Sequence, residues 1–263
     1  MMYPTGNIQE KISAPVEEAY KVLRTNIQFC GFDKRIKTIT ITSCGPGEGK
    51  TTTSINLAVS FAKSGMKTLL LDTDLRKPML AKHLGGNAQV GLTTLIAGKS
   101  ELGDTINSTN IENLYYMPCG PKPPNPAELI GSDKFKGFLG EVRELFDIII
   151  LDTPPLGSVI DCAIISSLTD GTILLIESSA VEYANAQRVK EQLEKANARV
   201  LGVVLNKVTR NDYRNYNYYY YYYGESGSSG KSWFKRLKRK LEKKLKTVYP
   251  GLTGGPDKLA IGR

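Results

Sequence analysis

The chain has 263 residues, a formal net charge of +9 and an isoelectric point near 9.2, enough length for one α/β domain with a sizeable core plus tails. Its aliphatic runs (Ile148 to Leu151, Ile173 to Ile176, Val200 to Leu205) fall far short of the roughly 20 apolar residues that cross a bilayer, and Met1 to Gly6 shows no secretory signal. Nine Lys or Arg against one Glu lie between Lys231 and Lys246, so the basicity belongs to a tail and does not imply nucleic acid as a partner.

Residues 15–29 carry Val16, Ala19, Tyr20, Leu23 and Ile27 at the spacing of a short amphipathic helix. Lys37 to Ser43 alternates β-branched residues and reads as a strand. A glycine-rich turn follows, then a helix from Thr51 to Lys63 that stops before Gly65. Further strands are expected at Lys67 to Asp72, Leu114 to Pro118, Asp147 to Asp152, Thr172 to Glu177 and Val200 to Asn206. Helices are expected around 133–145, 159–168 and 182–197. Strands alternating with helices mean an α/β fold, a mostly parallel sheet with helices on both faces. Cys30, Cys44, Cys119 and Cys162 have no metal-ligand or redox spacing and read as reduced thiols. His83, the only histidine, lies outside every motif and reads as a helix-surface residue.

The turn after the first strand is Cys44-Gly45-Pro46-Gly47-Glu48-Gly49-Lys50-Thr51-Thr52. A strand, a glycine-rich loop ending in Gly-Lys-Thr and a helix form the context of a P-loop. The glycines turn backbone N–H groups around phosphate oxygens, and the helix N-terminus adds its dipole. Lys50 is expected to bridge the β and γ phosphates and Thr51 to ligate Mg²⁺. Cys44 stands where the pattern usually has its first glycine. A small residue filling a tight turn is its plain reading; an oxidation-sensitive thiol is the other.

Two acid-bearing strand ends accompany the loop: Leu69-Leu70-Leu71-Asp72-Thr73-Asp74-Leu75-Arg76 and Ile148-Ile149-Ile150-Leu151-Asp152-Thr153. In open parallel sheets the ligand crevice lies at such ends. Alone, each acid would read as a helix cap. With Gly49-Lys50-Thr51 they indicate a Mg-nucleotide site, with Asp152 organising the metal. Of Asp72 and Asp74, one would hold metal and the other accept a proton from an attacking hydroxyl.

Beyond Arg210 the chain carries Tyr213, Tyr216 and six consecutive tyrosines, Tyr218, Tyr219, Tyr220, Tyr221, Tyr222 and Tyr223, followed by a Gly/Ser-rich stretch. Alternate strand residues face opposite ways, so six identical rings cannot sort into a buried and a solvated face. They read as exposed hydroxyls able to accept phosphate. Residues 231–248 repeat Phe234, Leu237, Leu241 and Leu245 at helical spacing among lysines and arginines. That pattern fits a helix on an anionic membrane surface or a solvated charged tail. The expected organisation is an N-terminal arm with a helix (1–35), a P-loop domain (36–209), a flexible tyrosine tail (210–230) and a basic amphipathic tail (231–263).

These motifs, in this order and ahead of a tyrosine cluster, resemble the bacterial tyrosine kinases of the polysaccharide-export type, in their free-standing CpsD/CapB form. Those kinases are relatives of the MinD/ParA/NifH-like ATPases. The resemblance implies that Gly45 to Thr52 is Walker A, Leu69 to Asp74 with Arg76 is Walker A′, and Ile148 to Asp152 is Walker B. It implies ATP and Mg²⁺ as cofactors, Lys50 and Thr51 on the nucleotide, Asp74 and Asp152 about the metal, and Asp72 as the base. Asn206 lies where the wider superfamily often contacts adenine.

The resemblance further implies that the domain at 36–209 is a kinase and that the helix of the N-terminal arm serves oligomerisation. It also implies autophosphorylation in trans within a ring-forming homo-oligomer, regulating polymerisation or export of a capsular or extracellular polysaccharide. The family's E-x-x-R-x-x-R ring motif is represented by Glu18, Lys21 and Arg24, lysine replacing the middle arginine and losing its planar fork. A membrane-spanning activator would complete the site and hold a cytoplasmic chain at the inner face of the membrane. The rival reading is a MinD/ParA-type positioning ATPase without kinase activity. That subgroup carries a second lysine five residues before the P-loop lysine, and this chain has Gly45 there. A third reading is a non-catalytic scaffold.

Overall fold

The computed structural model describes residues 8, 12–31, 35–85, 87–157 and 159–208, and the backbone of 259–261. The tyrosine cluster and the basic segment at 231–248 lie outside the described residues. In chain order the elements are α1 (Ala14–Cys30), β1 (Thr38–Ser43), α2 (Lys50–Ala62), β2 (Thr68–Asp72), α3 (Leu80–Leu84), α4 (Leu92–Ile96), α5 (Leu102–Thr105), β3 (Asn107–Ser108) and β4 (Leu114–Met117). They continue with α6 (Pro126–Gly131), α7 (Asp133–Leu145), β5 (Ile148–Asp152), α8 (Asp161–Leu168), β6 (Gly171–Glu177), α9 (Tyr183–Lys195), β7 (Val200–Asn206) and β8 (Leu259–Ile261).

The strands form one sheet in the order β3-β4-β2-β5-β1-β6-β7-β8, all parallel except the two-residue β3 at the edge. β1 lies between β5 and β6, so the chain leaves the middle of the sheet just where the phosphate loop begins. β2 and β5 run in register with Asp72 opposite Asp152. Two acids far apart in sequence therefore end side by side at the same edge of the crevice.

β1 alternates Thr and Ile, a pattern that normally marks a half-solvated strand, yet all six of its residues are buried. Its hydroxyls have partners. Thr38 Oγ1 donates to Asp170, Thr40 Oγ1 meets Thr169 Oγ1 at 2.9 Å, and Thr42 Oγ1 donates to the Pro154 carbonyl. Burial of these polar groups is tolerable because each is hydrogen-bonded.

α2 buries ten of its thirteen residues. α1 lies against it through Leu23 and Ile27, which join the same apolar cluster as Ile39, Ile41, Leu57 and Phe61. The other face of the sheet packs Leu69, Leu71, Ile149 and Leu151 against Phe135, Phe138 and Val142 of α7.

The expected strands and long helices occur within a residue or two of their sequence positions, the usual uncertainty of helix and strand ends. The structure adds α3, α4, α5, α6, β3 and β8, each of six residues or fewer and too short to show a period. No helix among the described residues is long and apolar enough to cross a membrane.

Candidate nucleotide site

The loop Cys44–Gly49 turns with Gly47 at φ 80° and Gly49 at φ 98°, left-handed values that glycine adopts without steric penalty. Gly49 is also the N-cap of α2, and a Cβ added there would meet Asn206 Nδ2 at 2.2 Å. We expect Gly49→Ala to destabilise the domain by about 1–3 kcal/mol through backbone strain and to weaken nucleotide binding. Thermal melting and calorimetric titration with Mg-ADP read the two effects.

Lys50 opens α2 and is buried, with Nζ donating to Ser43 Oγ at 3.0 Å. Burial pulls its pKa down, while Asp152, Asp74 and Glu48 hold it up. Thr51 Oγ1 donates to Asp152 Oδ2 at 2.6 Å, and Ser54 Oγ, one turn further along α2, donates to Oδ1 at 3.0 Å. Burial pushes Asp152 up to about 6 against the lowering effect of these hydroxyls and of Lys50.

Asp72 is fully buried. Its Oδ1 accepts from the Asp74 amide, and its Oδ2 from the amides of Met79 and Leu80 at the start of α3. Burial, then the neighbouring Asp152, push it up to about 8. Asp74 is less buried, and its Oδ1 accepts from the amides of Arg76 and Lys77. Asp72 thus forms the floor of the Walker A′ turn and Asp74 stands nearer its mouth.

The donors gathered here are hard oxygens, a hydroxyl and carboxylates, the set that suits Mg²⁺. Among the described residues no three acids, cysteines or histidines cluster closely enough to hold a metal unaided. A cation at this site would draw its remaining ligands from phosphate and water, as Mg²⁺ does in phosphoryl-transfer sites.

Several contacts had no signal in the motifs. Asp161, at the start of α8 and nearly fully buried, accepts from Arg76 Nε at 2.7 Å and from its second guanidinium nitrogen at 3.1 Å. Glu48 Oε1 accepts from the Gly45 amide, and Oε2 from the Glu177 amide. Asn206, expected near adenine, donates from Nδ2 to the Glu48 carbonyl at 2.8 Å. Pro46 lies within the loop and Thr52 in the first turn of α2.

Cys44 is buried, and burial with the nearby Glu48 pushes its thiol up to about 12. A thiol held protonated and covered is a turn filler and a poor oxidation target. His83 is exposed on α3.

Of the three ring-motif positions, the structure keeps two outward. Glu18 and Lys21 pair with each other on the exposed side of α1 at 3.4 Å. Arg24 instead turns inward, its guanidinium donating to the Ser60 carbonyl of α2. At i+3 from Lys21 it rotates toward the buried stripe of Leu23 and Ile27, so one part of its work is to fasten α1 to α2.

A family model described as an AAA domain matches residues 36–200. The tyrosine-protein kinase CpsD of Streptococcus agalactiae is 41% identical over 206 residues, covering 76% of this chain and 89% of that one. Among solved structures, the chimerical protein CapA2B2 aligns with a TM-score of 0.74 at 35% identity, over 79% of this chain and 96% of that chain. The septum site-determining protein MinD of Pyrococcus horikoshii, complexed with Mg-ADP, aligns with a TM-score of 0.56 at 28% identity, over 66% of this chain and 71% of that one.

Proposed function

The chain belongs to the CpsD/CapB-type bacterial tyrosine-protein kinases, and from that premise we propose that it transfers the γ-phosphoryl group of Mg-ATP to tyrosines in the C-terminal cluster of a second copy. The observation that carries this reading is the convergence of Lys50, Thr51 and Asp152 at the ends of β1 and β5 beside the glycine turn, Thr51 hydrogen-bonded to Asp152 and Lys50 to Ser43 at the end of β1. Gly45, Pro46, Gly47, Glu48, Gly49 and Thr52 complete the cradle.

Bound Mg²⁺ would neutralise charge developing on the transferred phosphoryl group. The chain's own part is placement. Loop amides and Lys50 would hold the phosphates, Thr51, Asp74 and Asp152 would hold the metal side, and the Asp72–Asp74 turn would face the acceptor. Asp72 would take the phenolic proton. Burial and the neighbouring Asp152 hold the Asp72 carboxyl up at about 8, and Asp74 is the more accessible of the two. Phosphoryl transfer asks little covalent work of the protein, so positioning and electrostatics supply most of the rate.

Tyr213, Tyr216 and Tyr218 to Tyr223 follow β7 directly in sequence, fewer than twenty residues beyond the site-lining Asn206. A ring of copies, contacting partly through Glu18 and Lys21 of α1, would bring one tail to the next copy's crevice. A membrane-spanning activator of CapA type would hold the ring at the inner membrane face, where tail phosphorylation would regulate polymerisation or export of a capsular or extracellular polysaccharide. The rival positioning-ATPase function loses support from Gly45 in place of a second lysine.

The test mixes two full-length variants with Mg-ATP and an activator fragment. One carries Lys50→Met with all tyrosines intact; the other keeps its loop but has the cluster tyrosines changed to Phe. Phosphotyrosine on the Lys50→Met chain is the expected result. ATP consumption with no label on that chain would sink transfer between copies.

A further inference from the structure

Two backbone carbonyls of the phosphate loop are gripped from outside by residues that no phosphate-loop motif includes. Asn206 Nδ2 donates to Glu48 O at 2.8 Å, and Lys207 Nζ donates to Gly47 O at 2.9 Å. In a trans peptide the C=O and the following N–H point in opposite directions, and the described backbone has no cis bond. Pulling the Gly47 and Glu48 carbonyls toward the end of β7 therefore turns the N–H groups of Glu48 and Gly49 the other way. That side is the interior of the loop, where inward-facing amides form an anion cradle.

Lys207 is itself held in place. Its ammonium also pairs with Glu177 Oε2 at 2.8 Å, and the Glu177 amide donates to Glu48 Oε2 at 3.2 Å. The residue has φ 55°, a left-handed conformation uncommon for a side chain with a Cβ. Such backbone persists where the surroundings over-determine it, and it concentrates at functional sites. An exposed ion pair by itself would contribute little; the second bond, to a loop carbonyl, is what a surface pair lacks.

We propose that Lys207, together with Asn206, is a positioning residue for phosphate recognition, fixing the peptide planes whose amides take the nucleotide's phosphates. The proposal rests on the reading of the loop as a nucleotide site. It gives Asn206 work on the loop backbone in place of a contact with the base.

The experiment is calorimetric titration of the full-length chain with Mg-ADP, with Mg-pyrophosphate as the base-free probe. Lys207→Met and Asn206→Ala should each weaken both ligands by about tenfold, the size of one charge-assisted or loop-orienting hydrogen bond. Lys207→Arg, which can still donate to the carbonyl, should stay within about threefold of wild type.

Melting curves without ligand confirm that each variant is folded. Should Lys207→Met fail to fold, Glu177→Gln, which loosens the ammonium and leaves it present, should show a smaller loss for both ligands, and full affinity there overturns the proposal. Wild-type affinity in a folded Lys207→Met chain overturns it as well. So does an Asn206→Ala chain that loses ADP yet keeps pyrophosphate, since that pattern assigns Asn206 to adenine. A wild-type chain that binds neither ligand overturns the nucleotide reading itself, and this proposal with it.

Discussion

Lys50→Met is expected to reduce phosphotyrosine formation by about 10²- to 10³-fold or more, the loss seen when one preorganised transition-state donor is removed. The same change should leave the unliganded fold within about 1 kcal/mol of wild type, or slightly more stable. The two halves of this prediction come from the same contacts. Lys50 is a buried cation whose charged form is disfavoured by burial, so the free protein gives up little when it becomes apolar. Ser43 Oγ, its hydrogen-bond partner, also donates to the Gly45 carbonyl at 2.6 Å and stays satisfied. Asp152 keeps the Thr51 and Ser54 hydroxyls. What disappears is a positive charge in a water-poor pocket, where its effect on a phosphoryl group is larger than in bulk water. Phosphopeptide mapping and thermal melting on one preparation check both halves. A variant that keeps a tenth of the wild-type rate would remove Lys50 from the machinery.

The elements that could be read from sequence are those whose signal is contiguous. Gly45 to Thr52, Asp72 with Asp74, and Asp152 each sit in a short run that joins a strand to a turn, and the physics of that junction is local: glycine for the turn, acids at the strand end. Their convergence also follows from topology, since β2 and β5 are neighbours and set Asp72 opposite Asp152.

Contacts made across the fold had no such signal. Asp161 meets Arg76 from 85 residues away, and Lys207 meets Gly47 from 160. Nothing near Asp161 in sequence distinguishes it from an ordinary helix-start acid. Arg24 shows the same limit from the other side. Its motif gives no sign of the bond to the Ser60 carbonyl of α2, which follows from the helical turn that exposes Glu18 and Lys21 and carries the next position toward α2. The threonines of β1 show the same dependence on distant residues, since nothing in the strand's own sequence names the partners of its hydroxyls. Burial on both faces is possible there because Thr169, Asp170 and Pro154 supply partners.

Asp170 supports the second large prediction, which concerns stability. Its side chain is 4% exposed and accepts from the Lys37 and Thr38 amides, from Thr38 Oγ1 and from Arg143, all at 3.0 Å. Arg143 donates as well to Thr38 Oγ1 at 2.9 Å. One carboxylate therefore joins the start of β1, the end of α7 and the turn into β6. Asp170→Ala strands a half-buried guanidinium, the buried Thr38 amide and the partly buried Lys37 amide, and breaking a buried pair by removing one partner costs about 3–5 kcal/mol. For a domain of this size, that loss lowers the melting midpoint by on the order of 10 °C.

The pH dependence follows from the direction of the shift. Burial alone would raise the pKa of Asp170, but Arg143 and the hydrogen bonds from Lys37 and Thr38 outweigh it and hold the carboxyl below the ordinary 3.8. A depressed folded pKa means that its contribution is complete above the unfolded value of about 3.9 and is lost as pH falls through the lower folded one. Urea denaturation of wild type and Asp170→Ala should accordingly show a constant stability gap from pH 7 down to about 5, closing below about pH 4. A gap that instead widened in acid would mean that Asp170 is held protonated in the native state, and the three-way junction would have to be stabilised by Arg143 and Thr38 without an ion pair.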